Sequence, residues 1–147
     1  MFVGNADLTL DAKSRIFLPA KYKNELVGKI IICRGLVKNL QIFTIDGFDE
    51  YIDNITKGTT EEEESEILRF FVPLAAECEV DSQNRVCIPQ NLREFAEITK
   101  KVKLVALRKR IELWDYDEWE KYDSTTSVSR VSEIINRRRT NNSNNPQ

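Results

Sequence analysis

Short alternating and β-branched runs, separated by charged turns, set the plan of this chain. Leu8-Thr9-Leu10 alternates apolar and polar positions and predicts a short strand. Residues 11–14 are polar and predict a turn. Ile16-Phe17-Leu18 predicts a second strand, which Pro19 stops before a helix that Pro19 can open. That helix is expected over residues 20–26, with Tyr22 and Leu26 on one face and Gly28 beyond its end. Lys29-Ile30-Ile31-Ile32-Cys33 is β-branched and predicts a buried strand. After a turn over 34–39, residues 40–45 predict another strand. Asp46 is then expected to cap a short helix carrying Phe48, Tyr51 and Ile52.

The second half replays this order. Strands are expected over 77–80 and 85–88 around a turn, and a helix from Pro89 to 97 with Leu92, Phe95 and Ala96 inward. A strand over 102–107, the charged turn Arg108-Lys109-Arg110 and a strand over 111–114 follow. Asp115 is expected to cap a helix with Trp119 on its apolar face. The repeat is explicit in the residues. Leu10-Asp11-Ala12-Lys13-Ser14-Arg15-Ile16-Phe17-Leu18-Pro19 is echoed by Val80-Asp81-Ser82-Gln83-Asn84-Arg85-Val86-Cys87-Ile88-Pro89. Asp81 lies 70 residues after Asp11, and the arginine and proline keep that spacing. Phe48 and Trp119 match at 71, so one residue is inserted between the halves' later strands. A register that survives four or five elements marks a duplication.

Two segments fall outside the repeat. Residues 59–71 predict a helix, with Thr59 or Thr60 ahead of Glu61-Glu62-Glu63-Glu64 and an apolar stripe of Ile67, Phe70 and Phe71. Val128, Val131, Ile134 and Ile135 predict a weaker tail helix ending in Arg137-Arg138-Arg139, and residues 141–147 are expected to be disordered. The expected organisation is a first half (1–54), a connecting acidic helix (55–75), a second half (76–122), a C-terminal helix (123–140) and a tail. The fold class is α+β and β-rich, with the two halves packed as a pseudo-dimer inside one chain and helices added.

Composition narrows the function classes. The net charge of −2 does not mark a nucleic-acid binder by itself, but its distribution is uneven. Acids gather over residues 46–66, and bases over 13–23, 100–110 and 137–139. There is no histidine to act as a base, and the five glycines are dispersed rather than gathered in a phosphate loop. Cys33, Cys78 and Cys87 have no metal-ligand spacing and are expected to be reduced, mostly buried thiols. No catalytic residue, metal, cofactor or small-molecule ligand is therefore expected. The N-terminus lacks a signal-peptide plan and no apolar run approaches the ~20 residues of a membrane span, so the expected location is cytoplasmic, with no membrane contact.

The repeated Asp-x-x-x-Arg-x-x-x-Pro turn admits two readings on spacing alone. Asp and Arg could pair and merely fix the loop, an interaction worth ~0–1 kcal/mol at a surface. Alternatively Asp11 and Asp81 brace the turns while Lys13, Arg15 and Arg85 present charge outward, where a planar guanidinium can clamp a phosphate or read guanine. Lys21 and Lys23 extend the same basic stretch, or belong to a solvated helix face. Arg108-Lys109-Arg110 reads as a charged turn, Arg137-Arg138-Arg139 as a solvated helix end or a phosphate-binding tail. Phe43, Phe48, Trp114 and Trp119 read as core.

These residues resemble a known family. Leu8 to Lys21, with its Asp11-Ala12-Lys13-Ser14-Arg15 core, is similar to the first signature of the MraZ family. Asp81 to Gln90, with Arg110-Ile111-Glu112-Leu113-Trp114-Asp115, is similar to the second. The opening Met1-Phe2-Val3-Gly4 fits as well, and the likeness runs from Met1 to about Trp119. The resemblance implies two halves like the DNA-binding domain of the AbrB and SpoVT regulators, each of the swapped-hairpin (double-split βαβ) type. It implies a bacterial transcription regulator whose protomers form a homo-oligomeric ring; repression is the expected action and the nucleoid the expected place. Its partner would be double-stranded DNA, at repeated promoter boxes ahead of the cell-division and wall-synthesis gene cluster, its own operon included. It points to Asp11, Lys13 and Arg15 as the first DNA-contacting element and to Asp81 and Arg85 as the second. Where the family has glycine before the motif arginine, this chain has Ser14 and Asn84. Asparagine tolerates a left-handed backbone better than serine, so the first turn is expected to be more strained or of another type. Gln83 replaces Lys13 in the second copy, so the first copy is expected to be the stronger contact and the second to serve more in holding subunits together. A ring-forming interaction scaffold without DNA recognition is the alternative.

Overall fold

The computed structural model describes residues 1–123 and 127–144. The described chain forms two compact units, Met1–Tyr116 and Asp117–Gln147. In the first, β1 (Asn5–Thr9) and β2 (Arg15–Phe17) precede a 3₁₀ turn (Ala20–Tyr22). β3 (Lys29–Arg34), β4 (Leu40–Thr44), α1 (Ile45–Thr56) and α2 (Glu61–Phe71) follow. The second half repeats them as β5 (Ala76–Glu79), β6 (Arg85–Cys87), α3 (Gln90–Phe95), β7 (Lys101–Ala106) and β8 (Ile111–Asp115). α4 (Tyr116–Asp123) and α5 (Val128–Asn144) complete the chain.

Six strands make one antiparallel sheet in the order β1-β7-β8-β4-β3-β5, and β2 and β6 pair as a separate two-stranded ribbon. Replacing each strand by its counterpart in the other half reverses the six-strand order and leaves it unchanged, which is the signature of an internal pseudo-two-fold. The axis passes between Gln41 and Glu112, opposite each other on β4 and β8, and between Ile16 and Val86, opposite each other on β2 and β6. β1 pairs with β7 of the other half, and β5 pairs with β3. Each half thus completes its hairpin sheet with a strand lent by the other, a swapped-hairpin pseudo-dimer of the kind that the resemblance implies.

Burial explains this arrangement. Ile16, Ile30, Ile32, Leu40, Ile42, Val86, Leu104, Ile111 and Leu113 are all at most 1 % exposed and lie in one cluster between sheet and ribbon. Each such side chain contributes ~1.5–3 kcal/mol through burial, enough to fix the strand register. The opposite sheet face of the first half carries Ile31, Cys33 and Phe43, covered by Phe48, Tyr51 and Ile52 of α1 and by Ile67, Leu68, Phe70 and Phe71 of α2.

Several local details differ from expectation. The 20–26 segment is a 3₁₀ turn closed by one helical bond from Leu26 N to Tyr22 O (2.8 Å), too short for a helix. Thr44, not Asp46, caps α1, its hydroxyl accepting from Gly47 N at 3.0 Å while Asp46 lies in the first turn. Thr60 caps α2 in a reciprocal box with Glu63. The offset between halves changes twice. Val102 on β7 is the counterpart of Ile30 on β3, 72 residues apart, and Asp115 on β8 is that of Thr44 on β4, 71 apart. Two residues are therefore added before β7, and the β7–β8 turn is one residue shorter than the β3–β4 turn. Cys33 is buried, but Cys78 is half-buried and Cys87 exposed. α5 continues to Asn144, so residues 141–144 are helical rather than disordered, and 145–147 lie outside the described residues. Among the described residues no helix is long and apolar enough to cross a membrane.

Candidate nucleic-acid interface

The two motif turns are built alike, atom for atom. Asp11 Oδ1 accepts from the backbone N–H of Lys13 and of Arg15, both at 2.9 Å, and Oδ2 accepts from Arg15 Nε at 2.8 Å. Asp81 Oδ1 accepts from Gln83 N at 2.9 Å and Arg85 N at 2.8 Å, and Oδ2 from Arg85 Nε at 2.9 Å. A backbone bond closes each turn, from Ser14 N to Asp11 O and from Asn84 N to Asp81 O, both 3.0 Å. The backbone donors, led by the arginine N–H, hold both carboxyls below the usual carboxylate range, with the guanidinium adding to them.

Ser14 and Asn84 share the left-handed conformation, with φ of 59° and 62°. The first turn is thus of the same type as the second. The difference between them lies in support. Asn84 Nδ2 donates to Leu18 O at 2.7 Å, whereas Ser14 has no such side-chain bond among the described residues. The turns also lock each other: Leu18 N donates to Asn84 O and Ile88 N to Ser14 O, both 2.9 Å.

The ribbon turns these parts into a surface. Ile16 and Val86 point into the core, so the residues on either side of them point out. Arg15 lies opposite Cys87, and Phe17 opposite Arg85. The outer face therefore presents two arginines as diagonal neighbours, a placement typically ~7–8 Å apart. An exposed phenylalanine and an exposed thiol complete the face. The pairing that fixes the loop is present in both turns. Each aspartate takes only the Nε of its arginine, and Nη1 and Nη2 have no hydrogen bond among the described residues. A guanidinium oriented through Nε and open at its two terminal nitrogens is arranged for bidentate contact with a phosphate or a guanine edge. The carboxylates also relieve repulsion between the two cations.

The other basic residues divide. Lys13 is exposed at the tip of the first turn, without an ion pair among the described residues, next to the ribbon through a Cys87 Sγ contact to its carbonyl at 3.6 Å. Lys21 is directed away: its Nζ lies 5.2 Å from the Tyr22 ring centre and over Gly4, so closely that a Cβ at Gly4 would collide with it. Lys23 is exposed just beyond the 3₁₀ turn. Its counterpart is Arg93 on α3, whose Nε donates to Ile88 O at 3.0 Å beside the second motif. Sequence reasoning passed over Arg93, although the 70-residue offset from Lys23 points to it. Arg85 differs from Arg15 in lying 5.8 Å from an aromatic ring, that of Phe17.

Away from the ribbon, the chemistry is sparse. Burial pushes the Cys33 thiol up to about 12 and the Cys78 thiol up to about 11, so neither is a thiolate near neutrality. Among the described residues no three His, Cys, Asp or Glu side chains are placed to hold a metal. Phe43 and Trp114 are buried at 1 % and 3 % exposure, which removes them as base-stacking platforms.

Comparison with known proteins agrees with this duplicated plan. The family model for "MraZ protein", an antitoxin-like family by its description, matches twice, over residues 1–70 and 72–141. A transcriptional regulator MraZ from Caldanaerobacter subterraneus subsp. tengcongensis is 36 % identical over 130 residues, covering 88 % of this chain and 91 % of that protein. One from Alkaliphilus oremlandii is 37 % identical over 139 residues, covering 93 % and 96 %. One from Alkaliphilus metalliredigens is 34 % identical over 138 residues, with the same coverage.

Proposed function

This chain belongs to the MraZ family, whose curated relatives are named transcriptional regulators rather than enzymes, and we propose that it regulates transcription by laying the outer face of its β2–β6 ribbon on double-stranded DNA. The observation that carries this reading is the pair of Nε-braced arginines, Arg15 and Arg85, with open terminal nitrogens on one two-stranded ribbon. A two-stranded ribbon fits the major groove, where arginine reads guanine O6 and N7 together. Lys13 at the tip of the first turn supplies a phosphate contact that Gln83 cannot, so the first copy is the stronger. Lys23 and Arg93 flank the face symmetrically, and Lys21 plays a lesser part.

One ribbon spans few base pairs. Selectivity then comes from repetition: a homo-oligomeric ring presents several ribbons to several promoter boxes, and linked weak contacts multiply. The proposed targets are repeated boxes ahead of the division and cell-wall gene cluster, its own operon included, with repression as the outcome and the nucleoid as the place. A net-acidic chain can act so because α2, with its glutamate-rich start, packs on a different core cluster from the one that holds the ribbon.

The test is a shift assay on the DNA upstream of its own gene, with wild type and Arg15→Ala. Binding should fall steeply with salt and weaken strongly in the variant. Unchanged binding by a folded Arg15→Ala would refute the site. A stable oligomer with no salt-dependent DNA affinity would instead leave an interaction scaffold.

A further inference from the structure

The outer face of the ribbon holds one large side chain for which phosphate chemistry has no use. Phe17 is 57 % exposed, between Ile16 at 0 % and Leu18 at 3 %. A single exposed apolar residue carries little meaning by itself. Its surroundings supply the meaning here. Phe17 lies directly opposite Arg85, and the Arg85 guanidinium carbon is 5.8 Å from the ring centre. The ring therefore stands beside a cation that Asp81 braces through Nε.

The backbone under this ring is the more firmly held of the two ribbon strands. Leu18 N donates to Asn84 O at 2.9 Å, and Asn84 Nδ2 donates back to Leu18 O at 2.7 Å. At the matching place beyond β6, Ile88 N donates to Ser14 O at 2.9 Å, and serine has no side-chain amide to return a second bond.

The pseudo-two-fold carries Phe17 onto Cys87, 70 residues later. Cys87 is exposed too, but its side chain is small and its Sγ turns to the Lys13 carbonyl at 3.6 Å. The two arginines repeat across the axis, and the residues beside them do not. A face with matched arginines and unmatched neighbours has a direction.

The major groove offers an apolar group at its base edges in the C5-methyl of thymine, and phenylalanine is a side chain that packs on it. Bases follow one another at ~3.4 Å along a strand. The 5.8 Å separation thus sets the ring between one and two base steps from a base held by Arg85.

We propose that Phe17 is a specificity-determining residue: it packs on the methyl group of a thymine within two base steps of the guanine taken by Arg85, while Cys87 leaves the mirrored place unread. The ribbon then lies on its box in one orientation. This rests on the proposed docking of the ribbon on DNA, and names a base pair that the arginines do not select.

The test uses the full chain and the DNA upstream of its own gene in two forms, the natural duplex and one with uracil in place of thymine. Uracil loses the methyl group and keeps every hydrogen-bonding group. Wild type should bind the uracil duplex about three- to fivefold more weakly for each ribbon engaged, the size expected of one buried methyl group. Phe17→Ser should bind both duplexes alike and keep the wild-type slope of affinity against salt, because no phosphate contact is lost. Single uracil replacements should find the sensitive thymine on one side of the guanines only. Equal binding of the two duplexes by wild type overturns the proposal. So does a thymine preference that survives in Phe17→Ser, which would make the ring only a brace for Arg85. A duplex bend that disappears in Phe17→Ser without any thymine preference would make the ring a wedge between base steps, and overturns it as well. Sensitive thymines on both sides overturn the single orientation. If Arg15→Ala loses binding while wild type ignores uracil, the Phe17 assignment alone falls. If wild type shows no salt-dependent binding to either duplex, the docking of the ribbon on DNA falls and this assignment with it.

Discussion

The two motif turns are the most alike parts of this molecule, and the elements that follow them are the least alike. Asp11 and Asp81 accept from the same three donors, and Ser14 and Asn84 adopt the same left-handed backbone. In contrast, the first half's outer sheet face carries an aromatic cluster under α1 and α2, and α2 ends in Phe70 and Phe71, while α5 carries Arg137, Arg138 and Arg139. Duplication has kept the arginine-presenting device and released the helical layer. Uniform turns with divergent helices are what a chain needs if the turns must meet one repeated partner and the helices must each meet a different one.

The largest expected effects break the symmetry at its centre. Ile16 and Val86 face each other on the pseudo-axis at 0 % and 1 % exposure. Ile16→Ala should cost ~2–5 kcal/mol of unfolding free energy and Val86→Ala less, in proportion to the methyl groups lost, read from chemical denaturation. Next comes the ribbon's outer face. Arg15→Ala should lower DNA affinity by ~1–3 kcal/mol for each ribbon engaged, and Arg85→Ala by less, in a shift assay at fixed salt. Equal losses would show that the copies act alike.

Smaller effects sharpen the contrast between the turns. Ser14→Gly should stabilise by ~0.5–1 kcal/mol, because glycine accepts positive φ without the Cβ penalty. Asn84→Gly should bring no such gain, because the relief at φ 62° is offset by loss of the 2.7 Å bond to Leu18 O. The two aspartates give a pH signature. Their carboxyls sit below the ordinary value of 3.8 in the folded chain, so the stability they add is full above about that pH. It declines as the pH falls through their folded values, and Asp11→Asn/Asp81→Asn should flatten that acid limb in a denaturation series. The smallest change is in salt dependence: Lys13→Gln should reduce the slope of affinity against salt by about one contact, and Gln83→Lys should raise it.

Much of this was legible because it is local. An Asp four residues ahead of an Arg across a polar turn can satisfy both the turn and the guanidinium, and the repeat of that spacing told of two halves. The strand order was less accessible, since β1–β7 and β5–β3 pairing depends on contacts across the whole chain. Ile16-Phe17-Leu18 is apolar throughout, so only the three-dimensional ribbon separates the buried Ile16 from Phe17, 57 % exposed beside Arg85. Thr44 and Asp46 are both competent caps two residues apart, and the choice lies in where β4 ends. Arg93 was within reach of the offset and was missed because it falls outside the motif itself.

The exchange of strands between halves also sets a timetable for synthesis. β5 emerges when its partner β3 has already been made, but β1 must wait for β7, with Asn5 pairing Val105 a hundred residues later. At ~5–20 residues per second the first strand of the nascent chain stays without its neighbour for ~5–20 s. An unpaired strand invites any passing edge. Slower translation of the second half should therefore lower the yield of folded chain, and a fragment ending before β7 should aggregate rather than persist as half a protein.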